Sequence, residues 1–209
     1  MEREYYLLKV IFTTPVLGSQ PTGRVASEFL AKRAGFENGL PEDEEQSLPE
    51  ALEKGTTVFH RSPEGAPIFF NYQIKGFLKN AGLVLNGMVK NQSGAVVKAL
   101  RSKVNNKVFV IERCVELHPP GNNGAKWQHE DITYNERPLR AATAQGERVA
   151  LARSEQLPEG TWFTCKLAVY PGDIDQLILE ELLDYGFDMG LGQWRNGGWG
   201  QFRYELAKA

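Results

Sequence analysis

The order of strand-like and helix-like segments is the sequence feature that most constrains the fold. Four segments rich in β-branched and aromatic residues predict strands, and these cover residues 4–14, 107–117, 161–170 and 201–206. Two segments carry apolar residues at the spacing of an amphipathic helix, and these cover residues 71–86 and 173–186. The order along the chain is therefore strand, helix, strand, strand, helix, strand.

This order predicts an α+β protein with a ferredoxin-like (RRM-like) βαββαβ core and insertions. In such a core, two helices cover one face of an antiparallel sheet, and the other face is open to a ligand. The chain has 209 residues and 42% hydrophobic content, which is enough for one sizeable core. We predict a single domain over residues 1–209.

The net charge of −2 conceals an uneven distribution of charge along the chain. Residues 34–53 contain seven acidic side chains and no lysine or arginine, whereas residues 75–113 contain eight basic side chains and one acid. Such asymmetry is typical of polyanion-binding proteins, although acids elsewhere in the fold can equally balance a basic segment. We predict an acidic insertion over about residues 36–66, after a short helix over residues 22–34, and a basic hairpin-like excursion over about residues 118–158.

The N-terminus and the cysteines indicate the compartment. The first ten residues, MEREYYLLKV, carry charged side chains at positions 2–4 and lack the apolar region of a signal peptide. No apolar run is long enough to span a bilayer. The two cysteines, Cys114 and Cys165, suit a reduced compartment better than a disulfide scaffold. We therefore expect a cytoplasmic protein without a membrane partner.

The glycine-rich segment 190–200 is the most informative short motif. Five of its eleven residues are glycine, so backbone amides can contact a phosphate directly and positive φ is accessible. Arg195 can pair with a phosphate through two hydrogen bonds, and Trp194 and Trp199 can stack on bases. The spacing fits neither a P-loop nor a Rossmann fingerprint. The alternative interpretation is a glycine-rich turn whose tryptophans fill the core.

Four segments in sequence order carry a family resemblance. They are the end of the first strand at 14–19 (TPVLGS), the helix opening at 68–79 (IFFNYQIKGFLK), the strand entry at 155–163 (EQLPEGTWF) and the glycine-rich segment. Together they resemble the RAMP superfamily (repeat-associated mysterious proteins), which supplies RNA-binding subunits and processing nucleases to CRISPR systems. The resemblance covers most of the chain outside the acidic insertion.

Within this superfamily, the Lys-Gly pair at Lys75 and Gly76 resembles that of backbone subunits. The resemblance implies a non-catalytic subunit that binds single-stranded RNA, with DNA as the alternative, and that associates with itself or with other RAMP-like subunits along the nucleic acid. It implies phosphate contacts by Lys75 and Lys79 and a close approach of RNA at Gly76, in one track with Arg195. Asn71 and Gln73 stand where the family often has Ser or Thr.

The resemblance also assigns roles to the excursion and the loop. The excursion corresponds to the projecting thumb of backbone subunits, which adds Arg140 and Arg148 to the predicted nucleic-acid-binding residues. The predicted residues of the glycine-rich loop are Gln193, Trp194, Arg195, Asn196, Gly197, Gly198 and Trp199. Target-cleaving relatives use an aspartate after the first strand, but here residues 15–27 contain no acid and Glu28 is the first. Target cleavage is therefore not expected.

Two other functions stay open. RAMP-type endoribonucleases, which are metal-independent, also end in a glycine-rich loop and generally use a histidine as general acid or base; the candidate here is His60, with His118 and His129 behind it. A protein-binding or inhibitory module that kept the fold would fit the acidic insertion and the net charge of −2. No metal or cofactor is predicted, because Cys114 and His118 are a single pair without further ligands nearby.

Overall fold

The computed structural model describes residues 2–21, 56–121, 126–143 and 146–209. Within these ranges the strands are β1 (Glu4–Phe12), β2 (Val16–Leu17), β3 (Gln20–Pro21), β4 (Thr56–Val58), β5 (His60–Arg61), β6 (Pro67–Phe70), β7 (Val108–Val110), β8 (Cys114–Glu116), β9 (Thr133–Thr143), β10 (Gly146–Leu157), β11 (Trp162–Val169) and β12 (Phe202–Lys208). The α-helices are α1 (Asn71–Val84), α2 (Leu100–Lys107) and α3 (Gln176–Asp184). The predicted α+β class is confirmed, and none of the described helices is long and apolar enough to cross a membrane.

The main sheet has the order β12–β1–β11–β7, and every neighbouring pair is antiparallel. Strand β1 lies at its centre, with Glu4 opposite Val169 on β11 at one end. Residues of β1 alternate between the two faces of the sheet, as the period of a strand requires. Tyr6 is buried, whereas its neighbours Tyr5 and Leu7 are exposed. One face is therefore covered and the other is open.

The covered face is packed by α1 and α3. Ile74 and Phe77 from α1, and Ile178 and Leu182 from α3, belong to the same buried cluster as the inward side chains of β1. Helix α3 begins with Asp175 as its N-cap, whose carboxylate accepts from the backbone N–H of Ile178 at 3.0 Å. The packing fixes which sides of the helices remain available for a ligand.

Two further sheets, of five and three strands, accompany the main one. Strands β9 and β10 form a long antiparallel hairpin within the region predicted as the basic excursion, and β10 continues into the order β2–β10–β4–β3. The third sheet has the order β5–β6–β8. The hairpin is thus rooted in strands that lie beside the start of helix α1.

The predicted helix over 22–34, and the predicted acidic insertion as far as residue 55, lie outside the described residues. From residue 56 the chain is paired: β4 runs parallel to β10, with Thr56 opposite Arg153, and β5 pairs with β6. Because this pairing ties residues 56–61 into the sheets, we place them with the folded protein and not with the insertion.

Candidate nucleic-acid interface

A groove of about 790 Å³ lies between helix α1, the glycine-rich loop and strands β3 and β5. Its lining residues are Ser19, Gln20, Pro21, His60, Tyr72, Gln73, Gly76, Phe77, Lys79, Asn80, Leu83, Arg101, Leu191, Gly192 and Arg195. Three of them are cations and none is acidic. The volume falls in the range of ~300–1,000 Å³ that is typical of ligand sites.

One face of helix α1 forms a wall of this groove. Tyr72, Gly76, Lys79 and Leu83 line it, and they are spaced three or four residues apart, which places them on one side of a helix. The opposite side carries Ile74 and the rest of the buried residues of α1. Burial of that side turns the polar side outward, into the groove.

The start of α1 is held by one local hydrogen bond and by hydrogen bonds to two other parts of the chain. The N–H of Phe70 donates to Oε1 of Gln73 at 2.8 Å, and Nε2 of Gln73 donates to Oγ of Ser19 at 3.2 Å. The N–H of Asn71 donates to the carbonyl of Arg113 at 3.0 Å. Gln73 therefore joins the helix start to the segment after β2, on the border of the groove, whereas Asn71 is not a lining residue.

The three cations of the groove have no carboxylate partner in the part of the chain that the structure describes. Lys79, Arg101 and Arg195 form no ion pair with another described residue. By contrast, Lys103 and Lys107 both lie within 3.3 Å of Asp173. Unpaired cations in a concave surface concentrate positive potential and attract polyanions.

Lys75 does not line the groove. Its ammonium donates to the carbonyls of Val104, at 2.7 Å, and of Val108, and lies 4.8 Å from the centre of the Phe109 ring. Burial, with repulsion from Lys79 as the smaller cause, lowers the pKa of Lys75 to about 8. The expected single track is corrected accordingly: the structure brings together Lys79, Gly76 and Arg195, and turns Lys75 toward the end of helix α2.

The glycine-rich loop closes on itself through its backbone. The N–H of Leu191 donates to the carbonyl of Gly200 at 2.8 Å. Gly200 has a φ of +74°, and a Cβ there would lie 1.8 Å from the carbonyl oxygen of Leu191. The loop is also bound to the segment near β2, since the N–H of Gly200 donates to the carbonyl of Pro15 at 2.9 Å. At least part of the glycine content therefore serves the closure of the loop.

The predicted loop residues point in different directions. Arg195 lines the groove. Gln193 is turned away toward two hydroxyl groups: its Oε1 accepts from Thr57 at 2.8 Å and from Ser154 at 3.0 Å. Asn196 and Gly197 are exposed on the short 3-10 turn Arg195–Gly197, and Gly198, with a φ of +82°, ends that turn.

The two loop tryptophans stack on each other outside the core. Their ring centres are 6.0 Å apart with planes at 18°, and the guanidinium of Arg137 lies 4.7 Å from the centre of the Trp194 ring. Trp194 is 43% exposed and Trp199 is half-buried. The alternative in which the tryptophans fill the core is wrong, because the main core is completed by other aromatic side chains such as Phe202. Base stacking by either tryptophan stays a prediction.

Arg140 and Arg148 lie on paired strands of the hairpin. Arg140 pairs with Val149, and Arg148 pairs with Ala141. Their contact with nucleic acid stays a prediction.

His60 is the histidine that lines the groove. Its ring centre lies 4.5 Å from that of Phe70, in an edge-to-face arrangement, and burial lowers the pKa of the imidazole. His118 lies elsewhere, stacked on Trp162 at 4.4 Å. The backbone of His129 belongs to a short 3-10 turn.

Tyr72 and Arg101 are among the groove residues that were not predicted from the sequence. Tyr72 could have been found, because it precedes Gly76 by four residues on a helix that was predicted correctly. Arg101 had no local signal, since its position depends on the contact between α1 and α2. At that contact a Cβ on Gly82 would lie 3.3 Å from the backbone of Arg101.

Among the comparisons with known proteins, the one with solved structures gave a match, and that match shows a similar fold. No protein-family model matches the sequence, and no curated protein matches it. Among solved structures, the chain is similar to a chain in the cryo-EM structure of the type III-B Cmr-β complex bound to cognate target RNA, with a TM-score of 0.51 and 12% sequence identity. The match covers 99% of this chain and 61% of the neighbour, so this chain spans less than two thirds of its length.

Proposed function

We propose that this chain is a RAMP-like protein that binds single-stranded RNA in the groove and does not itself catalyse a reaction. The observation that carries the proposal is the set of cations in the groove, Lys79, Arg101 and Arg195, which have no carboxylate partner among the described residues. Phosphates of a polynucleotide would neutralise them. At Gly76 the helix backbone has no side chain, and a Cβ there would meet no protein atom within 4 Å.

The arrangement of the main sheet supports a ferredoxin-like core within a single RAMP-like domain. Along the chain the six main elements are β1, α1, β7, β11, α3 and β12, and the order in the sheet is β12–β1–β11–β7. This βαββαβ order with two helices on one face is that of the ferredoxin-like fold. The similar solved chain comes from a complex bound to RNA, which is consistent with an RNA-binding role here.

The chemistry of the groove favours contacts with the sugar-phosphate backbone. The guanidinium groups of Arg101 and Arg195 match the geometry of phosphate oxygens, and the ammonium of Lys79 adds a point charge. Such contacts hold the chain of nucleotides without reading its sequence. The hairpin arginines Arg140 and Arg148 would add further phosphate contacts. Self-association along the RNA is part of the proposal through the family resemblance.

A metal-independent endoribonuclease is the second candidate, and the position of His60 favours it. The imidazole lies in the same groove as the three cations. Because burial lowers its pKa, the ring is neutral near pH 7 and is able to accept a proton. If the protein is such an endoribonuclease, His60→Ala abolishes cleavage of bound RNA but preserves binding. Intact RNA after incubation with the wild-type protein would dismiss this candidate.

The test of RNA binding is a charge reversal within the groove, Lys79→Glu with Arg195→Glu. A hydrogen bond to a charged group contributes ~1.5–3 kcal/mol, so we expect the affinity for a single-stranded RNA oligomer to fall by about 100-fold or more at 0.1 M salt. Fluorescence anisotropy of a labelled oligomer measures the dissociation constant. Circular dichroism shows whether both proteins are folded.

The matched control is Lys90→Glu with Lys98→Glu. Both lysines are exposed and neither lines the groove, yet the change in net charge is the same. The control should keep most of the affinity. Equal losses in both variants would show that RNA responds to the net charge and not to the groove, and full binding by the groove variant would refute the proposed site.

A further inference from the structure

Tyr72 is an aromatic side chain in the groove that the cationic residues do not explain. It lines the groove at the start of helix α1 and is 61% exposed. Single exposed apolar groups are common on protein surfaces, so exposure alone assigns no role. The residues around the Tyr72 ring are what point to a role.

The Tyr72 ring is supported from behind by two other rings. Phe70 stacks on it with a centre-to-centre distance of 5.5 Å and an angle of 20° between planes. His60 in turn packs edge-on against Phe70 at 4.5 Å. Phe70 and His60 are on paired strands, β6 and β5, so the stack has a rigid base. The outermost ring of the three is thus held in place while much of its surface faces the groove.

Cations lie in the same groove as this ring. Lys79 follows Tyr72 by seven residues on the same side of the helix, which is about 10 Å along the helix axis. Arg195 of the glycine-rich loop also lines the groove. A flat aromatic surface in a positively charged groove matches a nucleotide, whose base is flat and whose phosphates are negative.

We propose that Tyr72 is a base-stacking residue that receives an unpaired base of the RNA in the groove. The inference rests on the proposed function and refines it, because it names single-stranded nucleic acid with an accessible base as the ligand. A base inside a duplex has both faces covered by its neighbours, so it does not reach the tyrosine ring. Any base has a face to offer, so this contact does not select a sequence. Trp194 is less suited, because its ring already contacts Arg137 and Trp199.

The test compares Tyr72→Ala and Tyr72→Phe on two RNA oligomers of equal length, one normal and one with abasic sugars throughout. Stacking of one base on an aromatic ring supports a loss of about 10-fold in affinity for the alanine variant on normal RNA. The phenylalanine variant should bind like the wild type, since the hydroxyl group has no part in stacking. On abasic RNA, wild type and Tyr72→Ala should bind equally.

Salt dependence separates this contact from the phosphate contacts. The slope of log K against log salt should be the same for wild type and Tyr72→Ala, because no phosphate contact is removed. Unchanged affinity of Tyr72→Ala for normal RNA would overturn the inference, as would an equal loss on normal and abasic RNA. If the charge reversal of Lys79 and Arg195 lowers affinity and Tyr72→Ala does not, the inference alone fails. If the wild type binds no RNA, the proposed function fails with it.

Discussion

Helix α1 carries two lysines and two glycines, and the members of each pair have different surroundings. Gly76 and Lys79 line the open groove. Lys75, one turn before Lys79, reaches the end of helix α2 instead, and Gly82 lies against the backbone of Arg101. Residue type is therefore constant within each pair. Only the neighbours contributed by the rest of the fold differ.

The two lysines of α1 have different roles because their neighbours differ. The ammonium of Lys75 donates to the carbonyl oxygens of Val104 and Val108, at the end of α2 where the helix dipole is negative. It satisfies protein acceptors and is half-buried. Lys79 has no described acid beside it and is directed to the groove. Lys75 therefore joins helix α1 to the end of α2, whereas Lys79 lines the groove.

The largest expected effect on stability separates Lys75→Met from Lys79→Met. The first variant loses two hydrogen bonds from a charged donor, each contributing ~1.5–3 kcal/mol, but it also avoids the cost of burying the ammonium. We expect a net loss of about 1–3 kcal/mol in the free energy of unfolding for Lys75→Met, and less than about 0.5 kcal/mol for Lys79→Met. Urea denaturation measures both. RNA affinity should respond in the opposite order, and similar stabilities would remove the distinction between the two lysines.

The pH dependence of stability gives a second and smaller signature of Lys75. Its pKa in the folded protein is about 8, below the ordinary value of 10.5. Below pH 8 the ammonium is charged in both states, and the cost of its burial is present in full. Between pH 8 and 10.5 the folded state releases the proton first, so this lysine adds stability as pH rises. The deficit of Lys75→Met relative to wild type should thus grow from pH 7.5 to 10, and a deficit that is constant or shrinks contradicts the assigned environment.

Local pattern was enough to predict helix α1 and the four strands of the main sheet. Helix α1 was predicted over residues 71–86 and runs from Asn71 to Val84, because its apolar periodicity is set within the segment itself. The predicted strand at 107–117 is interrupted and forms the separate strands β7 and β8. Alternation of apolar and polar residues does not reveal such an interruption, since β7 pairs with β11 and β8 pairs with β6.

The site was harder to predict, because its members are placed by contacts between distant segments. The direction of Lys75 depends on Val104 and Val108, which lie 29 and 33 residues further along the chain. Arg101 reaches the groove only because helix α2 approaches α1 at Gly82. No spacing rule within one helix contains that information. The apolar periodicity therefore predicts the helix, whereas the Lys-Gly pair does not show which lysine lines the groove.

The smallest expected effect compares the two glycines, Gly76 and Gly82. Alanine at an exposed helix position is favoured over glycine by roughly 0.5–1 kcal/mol, and a Cβ on Gly76 would meet no protein atom within 4 Å. Gly76→Ala should therefore raise the free energy of unfolding by about that amount, while RNA affinity falls several-fold if the nucleic acid approaches the helix backbone.

Gly82→Ala is the control within the same helix. Its Cβ would lie 3.3 Å from backbone atoms of Arg101, which must move together with helix α2, so the gain in helix propensity is opposed by a loss of packing. We expect no stabilisation in this variant. Urea denaturation measures the free energy of unfolding of Gly76→Ala and Gly82→Ala, and fluorescence anisotropy measures the RNA affinity of both variants. A stabilised Gly76→Ala that binds RNA as well as the wild type would show that the ligand does not approach the helix at this glycine. Equal stabilisation of both variants would show that Gly76 and Gly82 are not packed differently.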